Sequence, residues 1–407
     1  MSEKPKITLV NFKKDAYIIV EGPQIAKCFF IIREGKVRIT KVAEVVKEEG
    51  GDMLVPGDFF GVIATMSEHS HIEIAQAITD VVLICIHKNQ FEGLVQYNTP
   101  IVMKIILYFS RRMRYLDRTL THRAAKQSAE EEEEDGSVLF NLGEFYDTQR
   151  SYTAAYYAYH QYITYYPEGS HVQKATERMD VCGHYSKPIT FQFDKTELTR
   201  TYNKDTLIFA EGEPGDELFI LQHGSVKITK VANNHEVLLA VLKPGDIFGE
   251  MALLESKARS ANAVAYEDCT VLTVNWENFQ NMAKTQPHII TRLTQLLAER
   301  LWVIYKQLAN TLITDPVARL CDALHTDLEK NRVSMQPNSS YTFSFGPKEL
   351  VAMVGISREE SSPVLQKFMK ENTSLKVVDN KFHTTNTLDI VKQNTVYKNI
   401  QRRKANS

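Results

Sequence analysis

A chain of 407 residues is too long for one hydrophobic core and predicts about two to four folded units of roughly 100–200 residues each. Its 43% apolar and 24% charged residues are those of a soluble globular protein, and no run reaches the roughly 18 apolar residues that span a bilayer. The net charge of −2 excludes a uniformly basic coat for nucleic acid, and Met1-Ser2-Glu3-Lys4-Pro5-Lys6 has no apolar signal core, so a cytoplasmic location is expected.

The first patterned stretch opens with Val20-Glu21-Gly22 and runs to His87. Short β runs, Phe29-Phe30-Ile31-Ile32 and Val37-Arg38-Ile39-Thr40, are punctuated by Gly and by Pro56-Gly57-Asp58. A helical pattern follows from Ile101 to about Leu120. Glu130 to Asp135 is an unbroken acidic run that repels itself and reads as a solvated linker or helix start. Beyond it, Leu139, Leu142, Gly143, Tyr146, Ala155, Tyr159 and Pro167 fall at the spacing of one tetratricopeptide-like helical hairpin, with Tyr162 where that repeat usually has a small residue. The plain role for such a hairpin is a structural spacer docked on a barrel. The sharper one is a protein-docking platform bearing Tyr156, Tyr157, Tyr165 and Tyr166.

From Ala210-Glu211-Gly212 to Asn275 the first pattern returns, with Leu218-Phe219-Ile220-Leu221, Val226-Lys227-Ile228-Thr229 and Pro244-Gly245-Asp246 in the same order. This internal repeat predicts two β-barrels or jelly rolls. Within the second copy, Phe248-Gly249-Glu250-Met251-Ala252-Leu253-Leu254 supplies a glycine for close backbone approach and a helix-like turn whose first N–H groups face an anion. Arg259, nine residues beyond Glu250, is the planar bidentate partner that a phosphate favours. A carboxylate at Glu250 fits a sugar hydroxyl rather than the anion. After this barrel, Ile290, Leu293, Leu297, Leu301, Ile304, Leu308 and Leu312 recur every three or four residues between Pro287 and Leu312. That stripe predicts a long dimer helix, the alternative being a helix packed on its own barrel.

Gly346 to Glu360 reads as helix, glycine-containing turn and a second helix capped by Ser357, the spacing of a helix-turn-helix. Lys376-Val377-Val378, an Asp379-Asn380 turn and Lys381-Phe382-His383 then form a hairpin suited to a wing. Asp315 to Ser407 holds 14 Lys and Arg against 10 Asp and Glu, a local basic surplus where nucleic acid would need one. Cys28, Cys85, Cys182, Cys269 and Cys321 are scattered, which predicts reduced, buried thiols and no metal site. No catalytic constellation is read, and His69-Ser70-His71 is taken as a loop.

With these residues in view, 200–275 resembles the cyclic-nucleotide-binding domain, whose signature is Phe-Gly-Glu-x-Ala-Leu followed by Arg-Ser/Thr-Ala. The resemblance implies that Glu250 holds the ribose 2′-hydroxyl and that Arg259 and Ser260 hold the cyclic phosphate, with Gly249, Met251 and Ala252 lining the site. From Asn203 to Lys392 the chain is similar to the cyclic AMP receptor protein/fumarate-nitrate reduction regulator family. The resemblance implies a homodimeric, ligand-gated transcription regulator with cyclic AMP or cyclic GMP as ligand, double-stranded DNA as partner, and no other cofactor, metal or membrane. Arg358 and Glu359 match the family's base-reading positions, and Ser357 and Ser362 join them as DNA-binding candidates. Glu360 stands at a phosphate-contact position, and Pro363 predicts a recognition helix that kinks or ends early. Ile304 and Tyr305 stand where the family contacts the purine. Tyr305 is a candidate to stack on a base or donate one hydrogen bond, or else a seam residue.

Aligning Gly61 with Gly249 puts Val62, His71 and Ile72 at the positions of Glu250, Arg259 and Ser260, so the first copy is expected not to bind an ordinary cyclic nucleotide. The expected architecture is therefore α+β and multidomain, with two cyclic-nucleotide-binding β jelly rolls, a helical hairpin spacer, a long dimer helix and a C-terminal winged helix-turn-helix. Its expected domains are 1–128, the degenerate copy; 129–186, linker and hairpin; 187–313, the binding copy with its dimerisation helix; and 314–407, the winged module. The alternative function is a cyclic-nucleotide-binding signalling adaptor that regulates a protein partner without sequence-specific DNA binding.

Overall fold

Val55-Pro56-Gly57-Asp58 and Lys243-Pro244-Gly245-Asp246 close the same turn twice. Proline presets φ at the second position, and glycine takes φ of +90° at Gly57 and +92° at Gly245. The Asp58 and Asp246 amides donate to the Val55 and Lys243 carbonyls, each at 3.0 Å. The aspartate carboxylates in turn accept from the Val55 and Lys243 amides, each at 2.9 Å. These turns feed strands into two barrels of identical topology, in a computed structural model that describes residues 8–22, 24–40, 52–125, 136–187, 189, 198–232, 235–356 and 358–405. The acidic run Glu130–Asp135 and Ser357 lie outside the described residues.

In the first barrel, one four-stranded antiparallel sheet runs in the order Thr8–Phe12, Val81–His87, Cys28–Glu34, Phe59–Phe60. The other runs Tyr17–Ile19, Ile74–Ala77, Val37–Thr40, Met53–Leu54. Helix α1 (Val62–Ser67) follows its Pro-Gly-Asp turn, and α2 (Phe91–Tyr97) and α3 (Thr99–Ala125) follow the barrel. Then come α4 (Ser137–Thr148), α5 (Tyr152–Tyr165) and α6 (Val172–Gly183). The second barrel repeats the first, with sheets ordered Thr199–Tyr202, Cys269–Asn275, Glu217–His223, Ile247–Phe248 and Leu207–Phe209, Asn262–Ala265, Val226–Ala232, His235–Leu242. Helix α7 (Glu250–Glu255) stands where α1 stands in the first, and α8 (Trp276–Thr285) and α9 (Pro287–Thr311) follow.

The chain divides into two compact units, residues 92–297 and residues 5–91 with 298–407, so the boundary falls inside α9. In the unit 92–297, α3 lies on α7 of the second barrel through a buried ion pair. Arg114 Nε meets Glu255 Oε2 at 3.0 Å, Ser110 donates to Glu255 Oε1 at 2.6 Å, and Arg114 Nη1 donates to the Ala258 carbonyl at 2.9 Å. Helices α4 to α6 share one core with that barrel, in which Leu139, Phe140, Tyr159 and Tyr162 pack with Leu207, Ala210 and Val264. A Cβ on Gly143 would stand 2.5 Å from the Tyr159 ring, so glycine there lets α4 and α5 close. Tyr162 is fully buried against Phe140 and Tyr166, with its hydroxyl accepting from the His171 amide at 3.1 Å; the bulky residue is absorbed by aromatic packing.

The other unit joins the first barrel to the C-terminal half of α9 and to α10 (Pro316–Lys330), α11 (Pro347–Met353), α12 (Arg358–Glu371) and α13 (Thr387–Ala405). Asp315 caps α10 by accepting from the Val317 and Ala318 amides at 2.8 and 3.3 Å. Gly355, at φ +66°, makes the bend between α11 and α12. Helix α12 runs through Pro363 to Glu371, so the expected early end does not occur. Leu375–Val378 pairs with Lys381–Thr384 across Asp379 and Asn380, both at positive φ as a two-residue primed turn requires. Phe343, Phe368, Phe382 and Leu350 form the core beneath.

The stripe on α9 behaves differently from the intermolecular seam expected of it. Leu301, Trp302, Ile304 and Leu308 are buried within a single chain. Trp302 stacks on His69 of the first barrel at 4.0 Å and donates through Nε1 to the Ser70 carbonyl at 3.2 Å, while Glu299 meets His69 Nε2 at 2.8 Å. Arg332, beyond α10, donates to the Ser67 carbonyl at 2.9 Å. His69 and Ser70 are thus a seat for α9 rather than a bare loop.

Candidate functional site

The second barrel gathers its polar residues around Arg259. Gly249 leads into α7 at φ +73°, a conformation that costs an L-residue strain. A Cβ there would also stand 2.8 Å from Arg259 Nη1, and one on Gly215 would stand 2.3 Å from Arg259 Cζ, so two glycines clear the space for the guanidinium. Arg259 Nη1 donates to the Glu217 and Gly249 carbonyls, each at 2.7 Å. The guanidinium lies over Phe209 at 4.4 Å and Phe219 at 5.4 Å, on a floor of stacked Phe209, Phe219 and Phe248. Its Nε is buried and has no hydrogen-bond partner among the described residues. A buried cationic donor left open in this way is a site that an anion completes.

Ser260 donates to Met251 Sδ at 3.5 Å, a weak acceptor that a phosphate oxygen would replace at a gain. Glu250, Met251 and Ala252 are buried in the first turns of α7. The structure thus brings Gly249, Glu250, Met251, Ala252, Arg259 and Ser260 together in one unit. Tyr305 lies on the part of α9 that belongs to the other unit and is buried there.

Sequence reasoning missed Glu213. Its backbone pairs with that of Arg259, with the Arg259 amide donating to the Glu213 carbonyl at 2.8 Å. Its carboxylate is buried and accepts from the Ala210 amide and from the Tyr157 hydroxyl of α5, each at 3.0 Å. Burial raises the Glu213 carboxyl to about 7, against the pull of the Ala210 amide, Arg259 and Tyr157. Burial also lowers the Arg259 guanidinium, against Glu213, though arginine stays charged throughout the neutral range. The Glu-Gly pair recurs as Glu21-Gly22 and Glu211-Gly212, but the next residue is Pro23 in the first copy and Glu213 in the second, so the repeat does not mark Glu213.

The first barrel fills the same place otherwise. Gly61 takes φ +79° and leads into α1, whose first residue is the buried Val62. The Gly61 amide donates to Glu73 Oε1 at 2.6 Å, so a carboxylate of the chain itself already sits on that amide. His71 stands in for the arginine; burial lowers its imidazole, which favours the neutral form, and its Nδ1 has no partner among the described residues.

The DNA-binding candidates stand on or beside α12. Ser362 is exposed on α12, as is Pro363. Ser357 lies outside the described residues, as do the side chains of Arg358 and Glu359. No helix is long and apolar enough to cross a membrane, and no cluster of three or more potential ligands for a metal ion occurs, among the described residues.

Two jelly rolls of one topology, each with a glycine-led short helix, define a protein built on tandem domains of the cyclic-nucleotide-binding type. Residues 9–98 and 199–286 each match the family described as "Cyclic nucleotide-binding domain". A cyclic AMP receptor protein of Thermus thermophilus is 33% identical over 173 residues, 42% of this chain and 77% of that protein. A cAMP-activated global transcriptional regulator of Pasteurella multocida is 31% identical over 166 residues, 40% of this chain and 78% of its own. A CRP-like cAMP-activated global transcriptional regulator of Mycobacterium tuberculosis is 29% identical over 162 residues, 40% and 72% of the two chains. The chain belongs to the cyclic AMP receptor protein family.

Proposed function

We propose that this chain is a cyclic-nucleotide-responsive transcription regulator that binds cyclic AMP or cyclic GMP in its second barrel and reads double-stranded DNA with a C-terminal winged helix-turn-helix. The observation that carries the reading is Arg259, a buried guanidinium anchored on two carbonyls with its Nε unsatisfied, beside Gly249, Glu250 and Ser260. In this reading the cyclic phosphate takes Arg259 Nε and the Ser260 hydroxyl, and Glu250 accepts from the ribose. The first barrel, with Val62, His71 and Ile72 in the equivalent places and Glu73 on the Gly61 amide, takes no ordinary cyclic nucleotide. Helices α11 and α12 form the reading pair, with Ser357, Arg358, Glu359 and Ser362 at the bases or backbone, and α4 to α6 are a tetratricopeptide-like spacer that remains open to a protein partner. A homodimer would be built on surfaces other than the buried stretch of α9, since that stripe is already covered within one chain.

Calorimetry with cyclic AMP and cyclic GMP tests the sensor. We expect Arg259→Ala to weaken binding roughly 10- to 100-fold, the loss of one charged hydrogen-bonding anchor. Duplex binding tests the reader: about six phosphate contacts predict roughly a thousandfold loss of affinity between 50 and 200 mM salt. Nucleotide binding with no salt-sensitive DNA binding would favour the adaptor reading, and no heat from either nucleotide would remove the sensor.

A further inference from the structure

We propose that the helices α4 to α6 tune the ligand affinity of the second barrel, with Tyr157 and Glu213 acting as positioning residues for Arg259. This rests on the reading of that barrel as a cyclic-nucleotide site. Three observations carry it. The Gln161 amide donates to the Tyr157 hydroxyl at 3.1 Å, and that hydroxyl donates to Glu213 Oε2 at 3.0 Å, so α5 reaches the barrel through a directed chain. Glu213 and Arg259 are joined by backbone pairing, the Gly212 amide donating to the Arg259 carbonyl at 2.9 Å and the Arg259 amide to the Glu213 carbonyl at 2.8 Å. The guanidinium fills the space above Gly215, in the same turn. A displacement of α5 would therefore move the segment on which Arg259 is hung.

The arrangement also fixes charge. Arg259, Tyr157 and Tyr165 face Glu213; Asp216 and Glu217 act on Arg259; Tyr202 acts on Tyr157. Burial raises the hydroxyls of Tyr157, Tyr165 and Tyr202, so they stay neutral, and Glu213, near 7, is the group that changes charge close to neutrality. An anionic phosphate arriving at Arg259 disfavours the Glu213 carboxylate, so binding takes up a proton. The Tyr157 hydroxyl stabilises that carboxylate and so opposes the ligand.

The test is calorimetry of the full chain with cyclic AMP from pH 5.5 to 8.5. The wild type is expected to hold a constant Kd at the acid end and to weaken above about pH 7, by at most about tenfold per pH unit. Glu213→Gln, isosteric and uncharged, should flatten the profile. Tyr157→Phe, which keeps the ring and removes only the donor, should raise the Glu213 carboxyl further and carry the weakening to higher pH, with unchanged affinity at pH 5.5. A Tyr157→Phe profile that overlays the wild type, or a Glu213→Gln profile that keeps its slope, overturns the proposal. Wild-type protein that gives no heat at any pH instead overturns the nucleotide reading beneath it.

Discussion

At the scale of single residues, the site depends on how one guanidinium is accommodated. Gly215 and Gly249 leave room that no side chain could share, and two carbonyls fix Nη1, so the orientation of Arg259 is set before any ligand arrives. Glu213 is the cost of this arrangement, a carboxyl held almost wholly out of water. Because its folded pKa is raised, the native state binds its proton more tightly than the unfolded chain does. Stability is therefore lost as pH climbs from about 4.3, the unperturbed glutamate value, and the loss is complete above about 7. Glu213→Gln should leave stability unchanged near pH 4 and raise it by on the order of 3 kcal/mol at pH 8, read by urea unfolding at both pH values. Equal effects at the two would show that the carboxyl is not held neutral. That Glu250, Arg259 and Ser260 come together beside Gly249 was legible in the sequence because they lie at short spacing in one stretch. Glu213, Gly215 and Tyr157 were not, since each acts on a residue that only folding brings near.

At the scale of elements, apolar periodicity located the two long helices within a few residues: Ile101 to about Leu120 is the core of α3, and Pro287 to Leu312 is α9. It did not say what they would cover. That α3 lies on α7 is decided by a carboxylate and a guanidinium 141 residues apart, a pairing that no local pattern encodes. Glu255 has only 2% of its side chain exposed and Arg114 9%, so neither charge can fall back on solvent. Removing one partner leaves the other buried and unpaired, which typically costs 3–5 kcal/mol, whereas replacing both with apolar groups can be neutral. We expect Glu255→Ala to destabilise the chain by about that amount and Arg114→Met combined with Glu255→Leu to recover most of it. A double variant as unstable as the single one would mean that α3 is held by something other than charge. Helix α12 shows the limit of a local rule from the other side: Pro363 removes one internal hydrogen bond, yet the helix continues to Glu371, with Phe368 packed into the core beneath it.

At the scale of the whole molecule, the repeat in the sequence announced two barrels, and Val62, His71 and Ile72 announced that they would differ, but not what the first would seat. In the first, Glu73 answers the Gly61 amide, Val62 replaces the acid, and His69 and Ser70 receive Trp302 and Glu299. These contacts join the first barrel to the C-terminal half of α9, and residues 5–91 and 298–407 form one compact unit. Trp302 is the anchor of that surface, wholly buried and stacked on an imidazole. Its replacement by alanine should cost about 3–5 kcal/mol, the range for emptying a buried aromatic site. The loss should be local, because Trp302 and its partners lie in one unit. In hydrogen exchange, the amides of 67–70 and 298–311 should lose protection while those of 199–286 keep theirs. Uniform loss across both regions would mean that the first barrel does not seat α9 independently of the second, and protection unchanged at 67–70 would mean that it does not seat it at all.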